Sequence, residues 1–367
     1  MKIFAVSVLL YFVFINCSCT KHEGLTTTLV QSDTTPLKNI APFKVGASVV
    51  VPLLQNDSAY INTVLQQYNS ITTANTLKWY IAHPAQNMFD FSGGDYIADF
   101  CAANGKRMHA HCLIWYLDNP QWLNNFKGDS LAWENLFKTH IQTLVAHYKG
   151  KTTSWDVVNE ALNDDGSLRV NDKNLSNNYD DGSIWARHLG PDYVARAFIY
   201  AHEADTSALL FYNDYGQEWD DRKTDSIIAM INRFKARGIP INGLGIQMHT
   251  NINASENGIK KAFQKAAATG LLIHISELDV GVNPSNNQTI EFSDALAQRQ
   301  ANLYAFIVQQ YKQLIPAKQQ YGITTWDVSD ADSWLVTELK RKDWPLLFDK
   351  NFTKKPAYFS FRNALVN

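Results

Sequence analysis

Two stretches of the chain run through short apolar, β-branched sequence and end on a glutamate: Trp155-Asp156-Val157-Val158-Asn159-Glu160 and Ile275-Ser276-Glu277-Leu278-Asp279. A carboxylate delivered by a buried strand is costly to desolvate unless it is paired or put to use. Two carboxylates converging on one cleft are what cleavage of a glycosidic bond needs. A single strand-end glutamate is more often an ion-pair partner. The matched context of Glu160 and Glu277 is what favours catalysis.

Other polar residues fall at the ends of similar runs: Asn75 and Lys78, His109 and His111 before Trp115, Asn213-Asp214-Tyr215, Gln247-Met248-His249, Trp326-Asp327 and Trp334. Amides, imidazoles and carboxylates supply directional partners for sugar hydroxyls, and indoles supply flat faces for sugar rings. The blander readings differ in weight. His249 alone would be a core histidine; near Glu277 it reads as part of a hydrogen-bond network. His109 and His111, two apart on one strand, could hint at a metal, but no Cys or carboxylate set recurs at zinc-like spacing. Neither metal nor cofactor is expected. Trp79 and Trp155 read as core, Trp115 as wall of either core or subsite, and Trp326 and Trp334 as functional. Tyr215 is weighed between packing and leaving-group contact, with contact favoured. Asp156 reads as structural.

The elements that must position these groups follow from the hydrophobic pattern. Apolar runs at Phe43–Val51, Tyr68–Ile71, Arg107–Trp115, Ser154–Val158, Ala208–Asn213, Gly243–His249, Leu271–Ser276 and Gly322–Trp326 predict eight buried strands. Amphipathic segments between them predict helices over Trp133–Tyr148, Pro191–Asp205, Asp221–Arg237, Gly258–Ala268 and Phe292–Gln310. Gly150, Gly238 and Gly270 stand where helices should stop. Eight such repeats predict an α/β fold, a single closed (β/α)8 TIM barrel, with its site at the C-terminal strand ends. The competing open, doubly wound sheet lacks its glycine-rich first turn.

Composition narrows the class. Of 367 residues, 46% are hydrophobic, enough for a large core, and the formal net charge of −2 offers no field for nucleic acid or an anionic membrane. Residues 1–19 read as a signal peptide, with Lys2 ahead of an apolar stretch, Ile3–Ile15, too short to span a bilayer. Cys17 and Cys19 just after it suggest a lipoprotein signal, hence a secreted or cell-surface protein, anchored to the outer membrane through one of them. Residues 20–41 read as a Thr-rich tether and 42–367 as the catalytic domain. Cys101 and Cys112 read as two buried thiols rather than a bridge. A monomer is expected.

With these residues in place, Phe43 to Leu365 resembles the catalytic domain of glycoside hydrolase family 10, the endo-β-1,4-xylanase family. The two glutamate stretches match its acid/base and nucleophile motifs. His111 with Trp115, Asn213-Asp214-Tyr215, Gln247-Met248-His249, Trp326-Asp327-Val328-Ser329-Asp330 and Ser333-Trp334 also match. So does an ending with Pro345-Leu346-Leu347-Phe348-Asp349 and Lys355-Pro356-Ala357-Tyr358. The resemblance implies endo-hydrolysis of xylan with retention, Glu160 as general acid and base, and Glu277 as nucleophile. Retention requires the two carboxyls to stand about 5–5.5 Å apart. It also implies His249 and Asp279 supporting Glu277, Asn159 on a sugar 2-hydroxyl, His111 and Lys78 on glycone hydroxyls, and Trp115, Trp326 and Trp334 as apolar walls.

The chain departs from the family pattern at several places. Ala74 stands before Asn75 where a glutamate is usual, and Leu77 replaces Met. Tyr116-Leu117-Asp118 stands for His-Ser-Gln, His109-Ala110 for Arg-Gly, and Ala161 for Pro. The missing Glu and Gln serve the second glycone subsite in the family. A preference for decorated xylan, or more reliance on aglycone contacts, is the expectation. The alternatives are a catalytically weak glycan-binding lipoprotein, and a barrel glycosidase acting on β-glucan or from chain ends.

Overall fold

The computed structural model describes residues 35–170 and 182–366. The stretch expected to be a signal peptide, Cys17 and Cys19 with the lipid attachment expected there, and most of the expected tether lie outside the described residues.

Among the described residues, nine strands occur in chain order: β1 Lys44–Val49, β2 Ser70–Thr73, β3 Arg107–Ala110, β4 Ser154–Asn159, β5 Leu209–Asp214, β6 Gly243–Ile246, β7 His249–Asn251, β8 Leu272–Gly281 and β9 Gln320–Thr325. Eight of them, all but β7, form a ring of parallel neighbours. β1 pairs with β9 through Lys44↔Gly322, and β6 pairs with β8 through Gly243↔Leu272, so the sheet closes. Short β7 is added at the mouth, with His249 opposite Asp279. This is the expected (β/α)8 barrel. Its strands are buried along nearly their whole length because helices cover one face and the barrel interior the other.

The covering helices include Ser130–His147, Asp221–Ala236, Glu256–Ala268 and Asp294–Leu314. Their starts are set by polar caps that satisfy the first free backbone donors. Asp129 accepts from the Ala132 amide at 2.8 Å, and Ser255 from Gly258 at 3.1 Å. The barrel interior is filled below the mouth by His109, Phe211, His274 and Tyr321, with the Arg107 guanidinium 3.7 Å from the Tyr321 ring centre. A Cβ at Gly243 would lie 2.1 Å from Phe211, so only glycine lets β6 pass this aromatic layer.

Several boundaries differ from the sequence expectation. The run Arg107–Trp115 stops as a strand at Ala110, and only an isolated bridge, Ile114 to Val158, continues it. The run Gly243–His249 divides into β6 and β7 because Met248 takes φ 64° between them. The second run begins at Ser70 rather than Tyr68, which ends the helix Ser58–Gln67. The seventh barrel strand does not end near Ser276: β8 continues to Gly281, with irregular register between Ile275 and Leu278. Glu277 thus sits at a bulge, which re-aims its side chain. The folded body also starts ahead of Pro42. Leu37–Ile40 forms a helical turn whose Leu37 is fully buried. Cys101 and Cys112 are buried free thiols. Among the described residues, no helix is long and apolar enough to cross a membrane.

Candidate active site

The C-terminal ends of the strands open into one cavity of about 810 Å³. Of the residues singled out in the sequence, Asn75, Lys78, His111, Trp115, Asn159, Glu160, Tyr215, Gln247, His249, Glu277, Trp326 and Trp334 all line it. Asp279 does not; it stands behind His249. His109 is not at the mouth at all. It lies fully buried in the barrel interior, because alternate residues of a strand that enters the barrel belong to different layers.

Glu160 follows the last residue of β4 and adopts φ 56°, in the left-handed region that non-glycine residues seldom occupy. Its carboxylate receives three neutral donors. The Trp115 indole N–H donates to Oε2 at 3.0 Å. Asn159 Nδ2 and Gln247 Nε2 donate to Oε1 at 3.0 and 2.7 Å.

Glu277 has a different shell. His249 Nε2 stands 3.1 Å from its Oε2, and His249 Nδ1 stands 2.7 Å from Asp279 Oδ2. The Trp334 indole donates to the same Asp279 oxygen at 2.8 Å. Burial alone would raise the Glu277 carboxyl, but the His249 bond and the charges of His111 and His249 outweigh it and hold the group below its ordinary range. His249 is depressed by burial, yet Asp279 and Glu277 raise it well above its usual value. The imidazole is thus held between two acidic side chains that favour its protonated form.

The two glutamates share one amide chain. Asn213 Nδ2 donates to Glu277 Oε1 at 2.6 Å and to Asn159 Oδ1 at 2.8 Å. Its own Oδ1 accepts from Ser276 at 2.6 Å, which fixes which end of the amide faces the carboxylate. Asn213 stands in a strand-end motif of the sequence, and its site role emerges only in the structure. The signal that could have found it is the pleat: in β5 it shares a face with Phe211, another inward residue.

Other residues sort as follows. Asp156 is structural: His111 Nδ1 lies 2.9 Å from Oδ2 and His109 Nε2 lies 3.1 Å from Oδ1. Burial pushes its carboxyl up, but the two histidines more than reverse this and bring it far below the usual range. His111 is thereby fixed at the cavity wall, edge-on to Trp326 at 5.2 Å. Lys78 lies 3.5 Å from Asp118 and 4.5 Å from the Trp115 ring centre. The Tyr215 hydroxyl donates to Asp164 at 2.7 Å and accepts from Arg169 at 3.2 Å. Trp219, not anticipated, leaves 66% of its surface exposed on the cavity rim. Trp79 and Trp155 are core, as expected.

Chemically, the arrangement offers one glutamate among neutral donors and one beside an imidazole that favours its ionised form, in a single groove lined with indoles. Comparison with known proteins agrees. The family model for glycosyl hydrolase family 10 matches residues 37–364. Endo-beta-1,4-xylanase Xyn10C of Cellvibrio japonicus is 33% identical over 94% of this chain and 60% of its own length. Endo-1,4-beta-xylanase A of Cellvibrio japonicus (strain Ueda107) is 36% identical over 90% of this chain and 56% of its own length. The chain thus spans under two thirds of these relatives. The solved structure of native xylanase10C from Cellvibrio japonicus superposes with TM-score 0.84 at 32% identity, covering 91% of this chain and 73% of that one. A mutant of it in complex with xylopentaose superposes with TM-score 0.83 at 32% identity, covering 91% and 69%. With a family model matched over nearly the whole described body and a barrel of the same topology, this chain belongs to glycosyl hydrolase family 10.

Proposed function

We propose that this chain hydrolyses internal bonds of β-1,4-linked xylan with retention of anomeric configuration. Glu160 gives its proton to the glycosidic oxygen while the Glu277 carboxylate attacks the anomeric carbon. The C–O bond breaks and a glycosyl ester forms. Glu160, now a carboxylate, takes a proton from water, which attacks the same carbon and releases Glu277. The observation that carries this reading is the asymmetry of the two shells joined through Asn213. A carboxylate stabilised by a cation is fit to attack, and one among neutral donors is fit to exchange a proton. The xylanase names of the relatives and the xylopentaose bound to one of them support the substrate. One N–H of the Asn159 amide is left for a sugar hydroxyl, and Trp115, Trp326 and Trp334 supply ring faces.

The reading extends to decorated xylan. Ala74 places only a methyl group at the cavity wall, and Asp118 partners Lys78 instead of leaving it to sugar hydroxyls. Space gained and a hydrogen bond lost favour chains whose side groups replace that contact. At the cell surface, attachment through Cys17 or Cys19 would hold the enzyme beside its polymer; the mass of the mature chain tests this.

The deciding experiment is incubation of wild type and a Glu277→Ala variant with linear and substituted xylans and β-glucans. Internal cuts on xylan, β-configured initial products by NMR, and their absence in the variant are expected. Products released only from chain ends, or of inverted configuration, would refute the mechanism. Faster hydrolysis of the linear polymer would refute the preference.

A further inference from the structure

Arg169 is a nearly buried cation with no part in the chemistry described so far. Its backbone N–H donates to the Ala161 carbonyl at 2.8 Å. Its side chain turns back over the same turn: Nε donates to the Glu160 carbonyl at 3.3 Å and Nη2 to the Leu162 carbonyl at 3.1 Å. The guanidinium also reaches the neighbouring strand ends. Nη2 donates to the Tyr215 hydroxyl at 3.2 Å, beyond β5, and the guanidinium carbon stacks 3.9 Å from the Tyr116 ring centre, beyond β3. Tyr116 follows Trp115, whose indole holds Glu160 Oε2. One planar cation therefore ties three consecutive strand ends around a residue whose backbone sits at φ 56°.

A backbone in that sparsely populated region persists only where its surroundings over-determine it. On one side this is done by Asn213, whose carbonyl accepts from the Glu160 N–H at 2.9 Å, and by the Tyr212 hydroxyl, which accepts from Ala161 N–H at 3.1 Å. On the carbonyl side, the contacts of Glu160 and Leu162 come from Arg169. Lysine could not replace it, since a single ammonium cannot present a fork to two carbonyls and a flat face to a ring at once.

We propose that Arg169 is a positioning residue for proton transfer: it holds the Glu160 turn and the Trp115-Tyr116 wall in register, so that the Glu160 carboxyl is aimed at the leaving oxygen. This rests on the assignment of Glu160 as general acid. A misaimed acid penalises only leaving groups that need a proton, because positioned acid catalysis contributes roughly 10²–10⁴-fold to such steps.

The test uses wild type, Arg169→Met and Arg169→Lys with aryl β-xylobiosides carrying either a phenol or a dinitrophenol leaving group, each variant being compared with wild type on the same substrate. The phenyl substrate requires protonation and the dinitrophenyl substrate does not. For Arg169→Met, kcat/KM on the phenyl substrate should fall about 10–100-fold while the dinitrophenyl substrate changes less than about threefold. Arg169→Lys should fall between Met and wild type. Tyr215→Phe, which removes one guanidinium partner and leaves the backbone bonds intact, should show the same split in smaller measure; it serves if the Arg169 variants do not fold, as read by thermal unfolding. Equal losses on both substrates, or no loss on either, would overturn the role. A wild type inactive on xylan and on both aryl substrates would overturn the hydrolase reading, and this inference with it.

Discussion

The residue just past β4 and the bulged middle of β8 present the same side chain to the same cavity and surround it differently. Glu160 meets an indole and two amides, all neutral. Glu277 meets an imidazole that Asp279 and Trp334 hold in place from behind. On the proposed mechanism, the difference lets one residue type serve two roles. Role is set not by the carboxyl but by whether its partner carries charge, because in a water-poor cleft a nearby cation favours the ionised form far more than a neutral donor does.

The most direct way to break the comparison is to remove each carboxyl in turn. Glu277→Ala should lose on the order of 10⁴-fold or more of xylan turnover. Azide should then distinguish the roles. With Glu277→Ala it should attack directly and give the inverted glycosyl azide; with Glu160→Ala it should capture the ester and give the retained one. The same product from both would collapse the asymmetry.

The next largest effect concerns the scaffold beneath. Asp156→Asn leaves His109 and His111 without their buried carboxylate and should cost about 3–5 kcal/mol, read by denaturant unfolding. The Asp156 carboxyl is held below its unfolded value of about 3.9. Its stabilisation is therefore full above that pH and fades as pH falls through the folded value. The variant should lose this acid-side slope, and an unchanged slope would contradict the ion-pair role.

His249→Ala sharpens the comparison by making the Glu277 shell neutral. Without its donor, the Glu277 carboxyl should rise, so the acid limb of the kcat/KM profile should move to higher pH. The Trp115→Phe change acts on the other shell and removes one N–H from Glu160. A hydrogen bond to a charged group is worth about 1.5–3 kcal/mol, which predicts roughly a 10- to 100-fold loss on xylan. The acid limb should stay with Glu277 and not move.

The smallest effect is expected at Glu218, which is buried near the His249 pair. Burial pushes its carboxyl up to about 7; its own backbone bond and the His249 and Lys223 charges offset this only in part. A raised acid gives its stabilisation in full below its unfolded value of about 4.3 and loses it as pH rises through about 7. Glu218→Gln should remove that decline, so the variant should gain on wild type in melting temperature between pH 5 and 8. Parallel melting curves would show that the carboxyl is not strained.

Strand–helix alternation, barrel closure and the candidacy of Glu160 and Glu277 were legible in the chain alone. Apolar runs between amphipathic stretches leave few ways to bury both faces of a parallel sheet, and a carboxylate in such a run is conspicuous. Partner identity was not legible. Strand register, the bulge at Glu277 and the positive φ of Glu160 decide which donors face which oxygen. The link through Asn213, the clamp at Arg169 and the removal of His109 into the interior exist only once residues far apart in sequence are brought side by side. Hydrogen bonds depend on distance and direction at the scale of a few tenths of an ångström, and only the closed ring sets these.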